Sequence, residues 1–352
     1  MKESYADILK ELSSEKKKPD NISDKVLVVD GLNTFLRAYA VSPSSTTDGD
    51  HIGGISGFLY SLGFAIKRFS PTRCIVVFDG IGGSKRRKKI FPEYKANRGS
   101  AKAAKYNRAY DFQDGINDDK MKGLQLKRLM EYLDALPITV ICIDNIEADD
   151  TMAYITHLNK ESNFVIMSAD RDFLQLVDTN VKVWSPTKKK VYTVGKVIEE
   201  YGVHPHNFAL YKAINGDVSD NIPGIKGFGK VTIKKHFGFL IDEQRHTIED
   251  LTEQATKNIK YKACQRLVEN TDILARNYQL MQLEESIISG QLKLQIVGEL
   301  ACEIPKLNKY QFHLLSLKDK LFTVIKNVNT WVLLFNKLNV FVIKYNEKLN
   351  KK

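Results

Sequence analysis

The 352-residue chain has four cysteines and no CxxC spacing, which argues against both a zinc cage and a disulfide framework. Cys74 and Cys142 fall inside apolar runs, where a thiol is expected to act as a small hydrophobe. Long apolar runs are missing too. The best candidate, Val328 to Tyr345, is broken by Asn336, Lys337 and Asn339, so no membrane span is expected. The N-terminus is polar and lysine-bearing through Lys18 and lacks the apolar stretch of a secretory leader; a cytoplasmic location is the expectation. Acid is in deficit. Against 53 Lys+Arg stand 42 Asp+Glu, a formal net charge of +11, and a surface of that sign attracts polyanions. What is present, 43% hydrophobic residues over this length, suffices for one large core with a smaller appended module.

The acids that remain are not scattered. Asp30, Asp79, Glu147, Asp149, Asp170, Asp172 and Asp217 each sit at or just after a strand-like apolar run, with Asp150 and Asp220 beside two of them. Lys25 to Asp30 (KVLVVD) and Arg73 to Asp79 (RCIVVFD) are near-continuous apolar runs ending in Asp, separated by a helical stretch from Ile55 to Phe69. That is a βαβ unit. Pro137 to Ile143, Asn163 to Met167 and Val181 to Trp184 continue the strand pattern, with edge structure predicted as far as Val191. Helices are predicted at Asp119 to Leu136, Ala148 to Asn159 and Val194 to Tyr201. The fold class is therefore α/β, a mostly parallel central sheet flanked by helices. Strands running one way deliver their carboxyl ends to one edge.

Like charges gathered at such an edge repel one another unless cations fill the space between them. An all-oxygen donor set favours Mg²⁺ or Mn²⁺ over zinc. Acids also serve as plain helix caps, and Glu147-Ala-Asp149-Asp150 alone, at a predicted helix start, satisfies that simpler reading. With acids at further strand ends, capping becomes the lesser explanation. Two metals about 4 Å apart would activate a water and stabilise the leaving oxygen of an in-line displacement. Acid in the pocket and base around it point to metal-dependent phosphodiester chemistry on nucleic acid.

Residues 1–24 are read as an N-terminal extension with a short amphipathic helix, Tyr5 to Leu12. Residues 25–202 form the α/β core, which carries an insertion at 80–118. Residues 203–290 form a mainly helical module around a glycine-rich loop. The segment 291–352 resists assignment, and its basic end, Lys337 to Lys352, is either a solvated tail or a partner-docking segment.

Between Ser84 and Tyr110 there are ten Lys or Arg against one acid, Glu93, interleaved with Phe91, Tyr94, Tyr106 and Tyr110. A tract such as Lys85-Arg-Arg-Lys-Lys89 is commonly just a solvated face. This one leaves the strand that carries Asp79, so its cations overhang the acids, placed to hold phosphates while the aromatics stack on unpaired bases. The loop from Asn215 to Gly229 is followed by Lys230, Lys234 and Lys235. Gly224, Gly227 and Gly229 let the backbone turn tightly and approach a phosphate, and Asp217 and Asp220 enter the same loop.

These residues carry a resemblance to the structure-specific 5′ nuclease family, which includes flap endonucleases, the 5′ nuclease domain of bacterial DNA polymerase I and phage 5′ to 3′ exonucleases. It covers roughly Lys25 to Gly238. The motifs are VVDG at Val28 to Gly31, VVFDG at Val76 to Gly80, FPEYKANR at Phe91 to Arg98, EADD at Glu147 to Asp150, SADRDFLQL at Ser168 to Leu176 and GDVSDNIPGIKGFG at Gly216 to Gly229. In length and appended helices the chain is most similar to the family's ribonuclease H of T-even bacteriophages.

The resemblance implies a PIN-like 5′ nuclease core with a helical arch at 80–118 and a module of helix-hairpin-helix type. It implies a Mg²⁺ site, with Mn²⁺ as substitute, built from Asp30, Asp79, Glu147 and Asp149 with Asp150 nearby. A second would use Asp170, Asp172 and Asp217, with Asp220 acting through water. A K⁺ ion at the hairpin is also implied. Lys95 and Arg98 are expected at the scissile phosphate, with Lys88 as a further candidate there, and Lys85, Arg86, Tyr94, Gly224, Gly227, Gly229, Lys230, Lys234 and Lys235 along the nucleic acid.

The implied activity is removal of RNA primers and 5′ flaps during DNA replication by a monomer acting on DNA and RNA/DNA duplexes. The family's setting adds a single-strand binding protein or a sliding clamp as partner. Two other readings compete: a catalytically silent junction-binding module, which predicts missing acids, and a PIN-type ribonuclease, which normally lacks the arch and the glycine-rich hairpin. Neither fits a sequence that has the acids, the basic insertion and the hairpin loop together.

Overall fold

The computed structural model describes residues 25–98, 115–283 and 288–351. The helix expected at Tyr5 to Leu12 and the arch aromatics Tyr106 and Tyr110 lie outside them. Five parallel strands, β1 (Lys25–Asp30), β2 (Arg73–Asp79), β3 (Thr139–Ile143), β4 (Asn163–Met167) and β5 (Val181–Ser185), form one sheet. A short antiparallel strand, β6 (Lys190–Tyr192), adds to its edge, giving the order β3-β2-β1-β4-β5-β6. The central strands read as continuous apolar runs because both of their faces are covered. Leu27, Val29, Cys74 and Val76 face one core, and Val26, Val28, Ile75 and Val77 face the other. Cys142 departs from its expected role: β3 is an edge strand with alternating burial, and this thiol is exposed. All four cysteines are free.

Helices α1 (Gly31–Val41), α2 (Gly53–Phe69) and α4 (Gly115–Asp134) cover the first face. The basic helix α3 (Lys85–Ile90) leaves from the end of β2. On the second face lie α5 (Ala148–Leu158) and α6 (Val194–Tyr201). A separate apolar core, with Leu210, Ile214, Ile233, Phe237, Leu251, Leu267 and Leu274, holds the helical module. There α7 (Phe208–Asn215) leads into the two-residue strands β7 (Gly216–Asp217) and β8 (Ile222–Pro223), then α8 (Lys230–His236), α9 (Ile248–Lys257), α10 (Lys262–Glu269) and α11 (Thr271–Met281).

The segment that resisted assignment is helical. Ile296 and Leu300 of α12 (Gly290–Ala301) join the second core, while α13 (Lys309–Lys318), α14 (Val328–Leu333) and α15 (Asn336–Leu349) pack on the first. Trp331 of α14 sits in a notch of α2: a Cβ added at Gly63 would lie 2.4 Å from its indole nitrogen. Its ring stacks on Phe312 with centroids 5.1 Å apart, an arrangement worth about 1 kcal/mol beyond the buried area. The basic end is accordingly no tail through Leu349, since Leu338, Val342 and Asn346 of α15 are buried. Among the described residues no helix is long and apolar enough to cross a membrane.

Candidate active site

The parallel strands end at one edge, and acids expected from the sequence gather there. Asp30 closes β1 opposite Val77, and Asp79 closes β2 opposite Ile143. Asp30 also starts α1. Its Oδ1 accepts the Asn33 N–H at 3.1 Å, and its Oδ2 accepts the Ser168 hydroxyl at 2.8 Å. One residue thus serves as helix cap and as cluster member. Asp79 Oδ1 accepts the Ala148 N–H at 2.8 Å, fixing the start of α5, with Glu147, Asp149 and Asp150, against the end of β2. After β4 the chain folds back on itself. Ser168 Oγ accepts the Asp170 N–H at 3.0 Å, and Asp170 Oδ1 accepts the Asp172 N–H at 2.9 Å.

The acids divide by their electrostatics. Burial raises Asp30 to about 7, and Asp170 and Asp79 add repulsion. Burial, then Asp170 and Asp30, lift Asp149 well above the ordinary carboxylate range. Burial also takes Asp172 to about 7, with Asp170 pushing the same way against the pull of Lys212. Asp170 is thus the neighbour common to three strained carboxyls.

The flanking acids are neutralised by cations. Burial works to raise Glu147, but Arg87 and Lys95 outweigh it and hold the group below its usual range. Lys95 Nζ lies 2.5 Å from Glu147 Oε1, Arg87 Nη1 donates to Oε2, and the Tyr94 hydroxyl is 3.2 Å away. Asp150 is buried between Arg86, at 3.1 Å, and Arg87, at 2.8 Å. Asp217 is pushed up by burial, yet Lys212 and Ser219 bring it down to about 2. Lys212 also lies 2.7 Å from Asp172 Oδ1. Asp220 Oδ2 accepts the Tyr94 hydroxyl at 3.1 Å. Among the described residues no three acid, histidine or cysteine side chains converge into a ready-made metal cage.

The basic residues are arranged differently from a row along a groove. Lys88 is exposed, and Lys85 Nζ reaches Asn145 Oδ1 at 3.3 Å. Arg86 and Lys95 turn inward onto acids, as described. Tyr94, expected to stack on bases, is 3% exposed and packs with Ile222, Leu280 and Met281. The side chain of Arg98, at the end of the short 3-10 helix Ala96–Arg98, lies outside the described ones. Lys95 takes a left-handed backbone conformation, φ 57°, and its N–H donates to the Asp220 carbonyl at 2.9 Å. The base of the arch and the GDVSDN loop are thereby joined.

In the hairpin the three glycines do different things. A Cβ at Gly224 would meet the Asn215 carbonyl oxygen at 2.1 Å, Gly227 has φ 99°, and a Cβ at Gly229 would meet nothing within 4 Å. Lys230 Nζ donates to the Glu200 carbonyl, and Lys234 and Lys235 are exposed, the latter with Nζ 5.0 Å from the Tyr261 ring centroid. Three site residues escaped the sequence reading. Ser168 stood in a quoted motif without a role. Arg87 was indistinguishable within its tract, and Lys212 had no pattern around it.

Residues 25–202 match the family 5′-3′ exonuclease, N-terminal resolvase-like domain. The chain belongs to the 5′-3′ exonuclease family. The 5′-3′ exonuclease of Aquifex aeolicus (strain VF5) is 35% identical over 217 residues, covering 60% of this chain and 69% of the relative. That of Bacillus subtilis (strain 168) is 29% identical over 312 residues, 86% of this chain and 89% of the relative. The bacteriophage T5 flap endonuclease, solved as a pseudo-enzyme–product complex with DNA and metal ions, superposes with a TM-score of 0.59 at 25% identity. The match covers 83% of this chain and 98% of that one.

The donor set of this family member suits hard divalent cations. Its carboxylates offer only oxygen. Asp30, Asp149 and Asp172 are each raised by burial and by the shared neighbour Asp170, which is the strain a bound cation relieves.

Proposed function

We propose that the protein is a Mg²⁺-dependent, structure-specific 5′-3′ exonuclease and flap endonuclease that removes RNA primers and 5′ flaps during DNA replication. The observation that carries this reading is the gathering of Asp30, Asp79, Asp149, Asp170 and Asp172 at one sheet edge, tied together through Ser168 and the Ala148 N–H, beneath a basic arch base. Asp30, Asp79, Glu147 and Asp149 would hold one metal. Asp170, Asp172 and Asp217 would hold the other, with Asp220 reaching it through water. Bound there, the pair supplies an activated water and a counter-charge for the leaving oxygen.

The protein's own groups do the rest. Lys95, already at the edge beside Glu147, is placed to exchange that carboxylate for a substrate phosphate, as a mobile point charge suits. Asp150 keeps Arg86 and Arg87 at the arch base. Lys234 and Lys235, exposed on α8, anchor duplex phosphates, and backbone carbonyls of the Gly224–Gly229 loop are assigned a K⁺ ion. Arg98 joins Lys95 at the phosphate. The substrate is DNA or RNA/DNA duplex with a 5′ flap or primer, the protein acts as a monomer in the cytoplasm, and the partner is a single-strand binding protein or a sliding clamp.

The test is cleavage of a 5′-labelled flap and of an RNA-primed duplex, with Mg²⁺ and with EDTA. Metal-dependent release of short 5′ products supports the reading, and the ratio between substrates gives the preference. Junction binding without cleavage would make the protein a silent DNA-binding module.

A further inference from the structure

Arg87 stands in the middle of the tract Lys85-Arg-Arg-Lys-Lys89, yet it alone of the five is buried, 3% exposed. Its guanidinium binds oxygens from two parts of the molecule. Nη1 donates to Glu147 and, at 2.8 Å, to Asp150 Oδ2; Nη2 donates to Asp150 Oδ1 at 3.1 Å. Nε donates to the Leu280 carbonyl at 2.8 Å. Leu280 is in the last turn of α11, where carbonyls lack intrahelical partners and the helix dipole is negative, so a cation is the fitting cap.

One turn earlier on α11, the buried Asn277 donates from Nδ2 to the Ala213 carbonyl at 3.0 Å and to the Pro223 carbonyl at 2.8 Å. Those carbonyls belong to α7, which leads into the glycine-rich loop, and to β8 within it, directly before Gly224. Beside Asn277, the Arg276 guanidinium lies 4.3 Å from the centroid of Phe91, the residue that ends α3. A continuous line of contacts, buried except at Pro223, therefore runs from the hairpin, through a single turn of helix, to Glu147.

We propose that Arg87 is a positioning residue that sets the hairpin against the catalytic edge, and so selects which phosphodiester is cut. The proposal rests on the junction-nuclease reading above, with the hairpin as duplex anchor. The planar fork of arginine bridges four oxygens on three residues at fixed angles, whereas a lysine ammonium keeps the charge but not the geometry. A tie that served only stability would, when loosened, lower the melting temperature and leave the cut site unchanged.

The experiment compares wild type, Arg87→Lys and Arg276→Gln on a 5′-flap duplex with Mg²⁺, mapping products at single-nucleotide resolution alongside melting temperature and duplex Kd. Wild type is expected to cut at one dominant position. Arg87→Lys is expected to spread cleavage onto neighbouring phosphodiesters and to lower kcat roughly tenfold to a hundredfold at unchanged duplex Kd. Arg276→Gln, on the half-buried arm of the same tie, shows a smaller spread in the same direction and decides the matter if Arg87→Lys does not fold. One unchanged cut position in the folded variants, whatever their rate, overturns the proposal. A wild-type protein that cuts no flap overturns the functional reading, and this proposal with it.

Discussion

The ammonium of Lys212 lies 2.7 Å from Oδ1 of Asp172, so a lysine 8% exposed supplies a counter-charge to the acids proposed to be catalytic. The same ammonium donates to Asp217. Removing one partner of a buried ionic contact costs about 3–5 kcal/mol, because the charge left behind stays buried. Lys212→Met should therefore lower stability by several kcal/mol in EDTA, and added Mg²⁺ should restore part of the loss. Calorimetric melting with and without Mg²⁺ checks this; an equal loss in both conditions would separate Lys212 from the metal-binding acids.

The raised carboxyls give a pH dependence of definite sign. Asp30 rises from its ordinary 3.8 to about 7 on folding, so the native state binds its proton more tightly than the unfolded chain. Its stabilising contribution is full below about 4 and is lost as pH rises towards 7. Asp172 adds to the trend in the same window, while Glu147 and Asp217, held low by their cations, act in the opposite sense at more acid pH. Metal-free Asp30→Asn should hence show a smaller fall in melting temperature than wild type between pH 4 and 7. Parallel curves for the two proteins would mean that Asp30 titrates normally.

How much of this was open to reading from the sequence depends on whether a residue's role is local. β1, β2 and α6 could be bounded because an apolar run ending in Asp, or a helical stretch starting after Thr193, is a property of neighbours in the chain. Asp30 and Asp79 followed from the strand-end rule. Arg87 and Lys212 did not, since their burial is set by Leu280 and Asp172, which are distant in sequence. Tyr94 was misjudged for the same reason: its ring meets Ile222 and Met281 from another part of the chain. The C-terminal helices escaped because α14 is only six residues long and is held by the fit of Trp331 against Gly63, a notch that leaves no periodic signal.

The duplex anchoring proposed for α8 should be separable from catalysis. Each phosphate contact contributes roughly 0.9 to the slope of log affinity against log salt. Replacing Lys234 and Lys235 together by Ala should weaken duplex binding at low salt and reduce that slope by about 2, while the same complex, once saturated, still cleaves. An unchanged slope in a salt titration would remove the anchoring role.

The central claim is that carboxylates crowded around Asp170 form the metal-binding catalytic edge, and Asp170→Asn tests it most directly. Single-turnover cleavage of a 5′ flap in Mg²⁺ is measured beside junction binding in EDTA. The account predicts loss of cleavage by about a thousandfold or more, on the scale of losing a charged group that acts in the transition state, with binding retained. Cleavage by Asp170→Asn at the wild-type rate would contradict it.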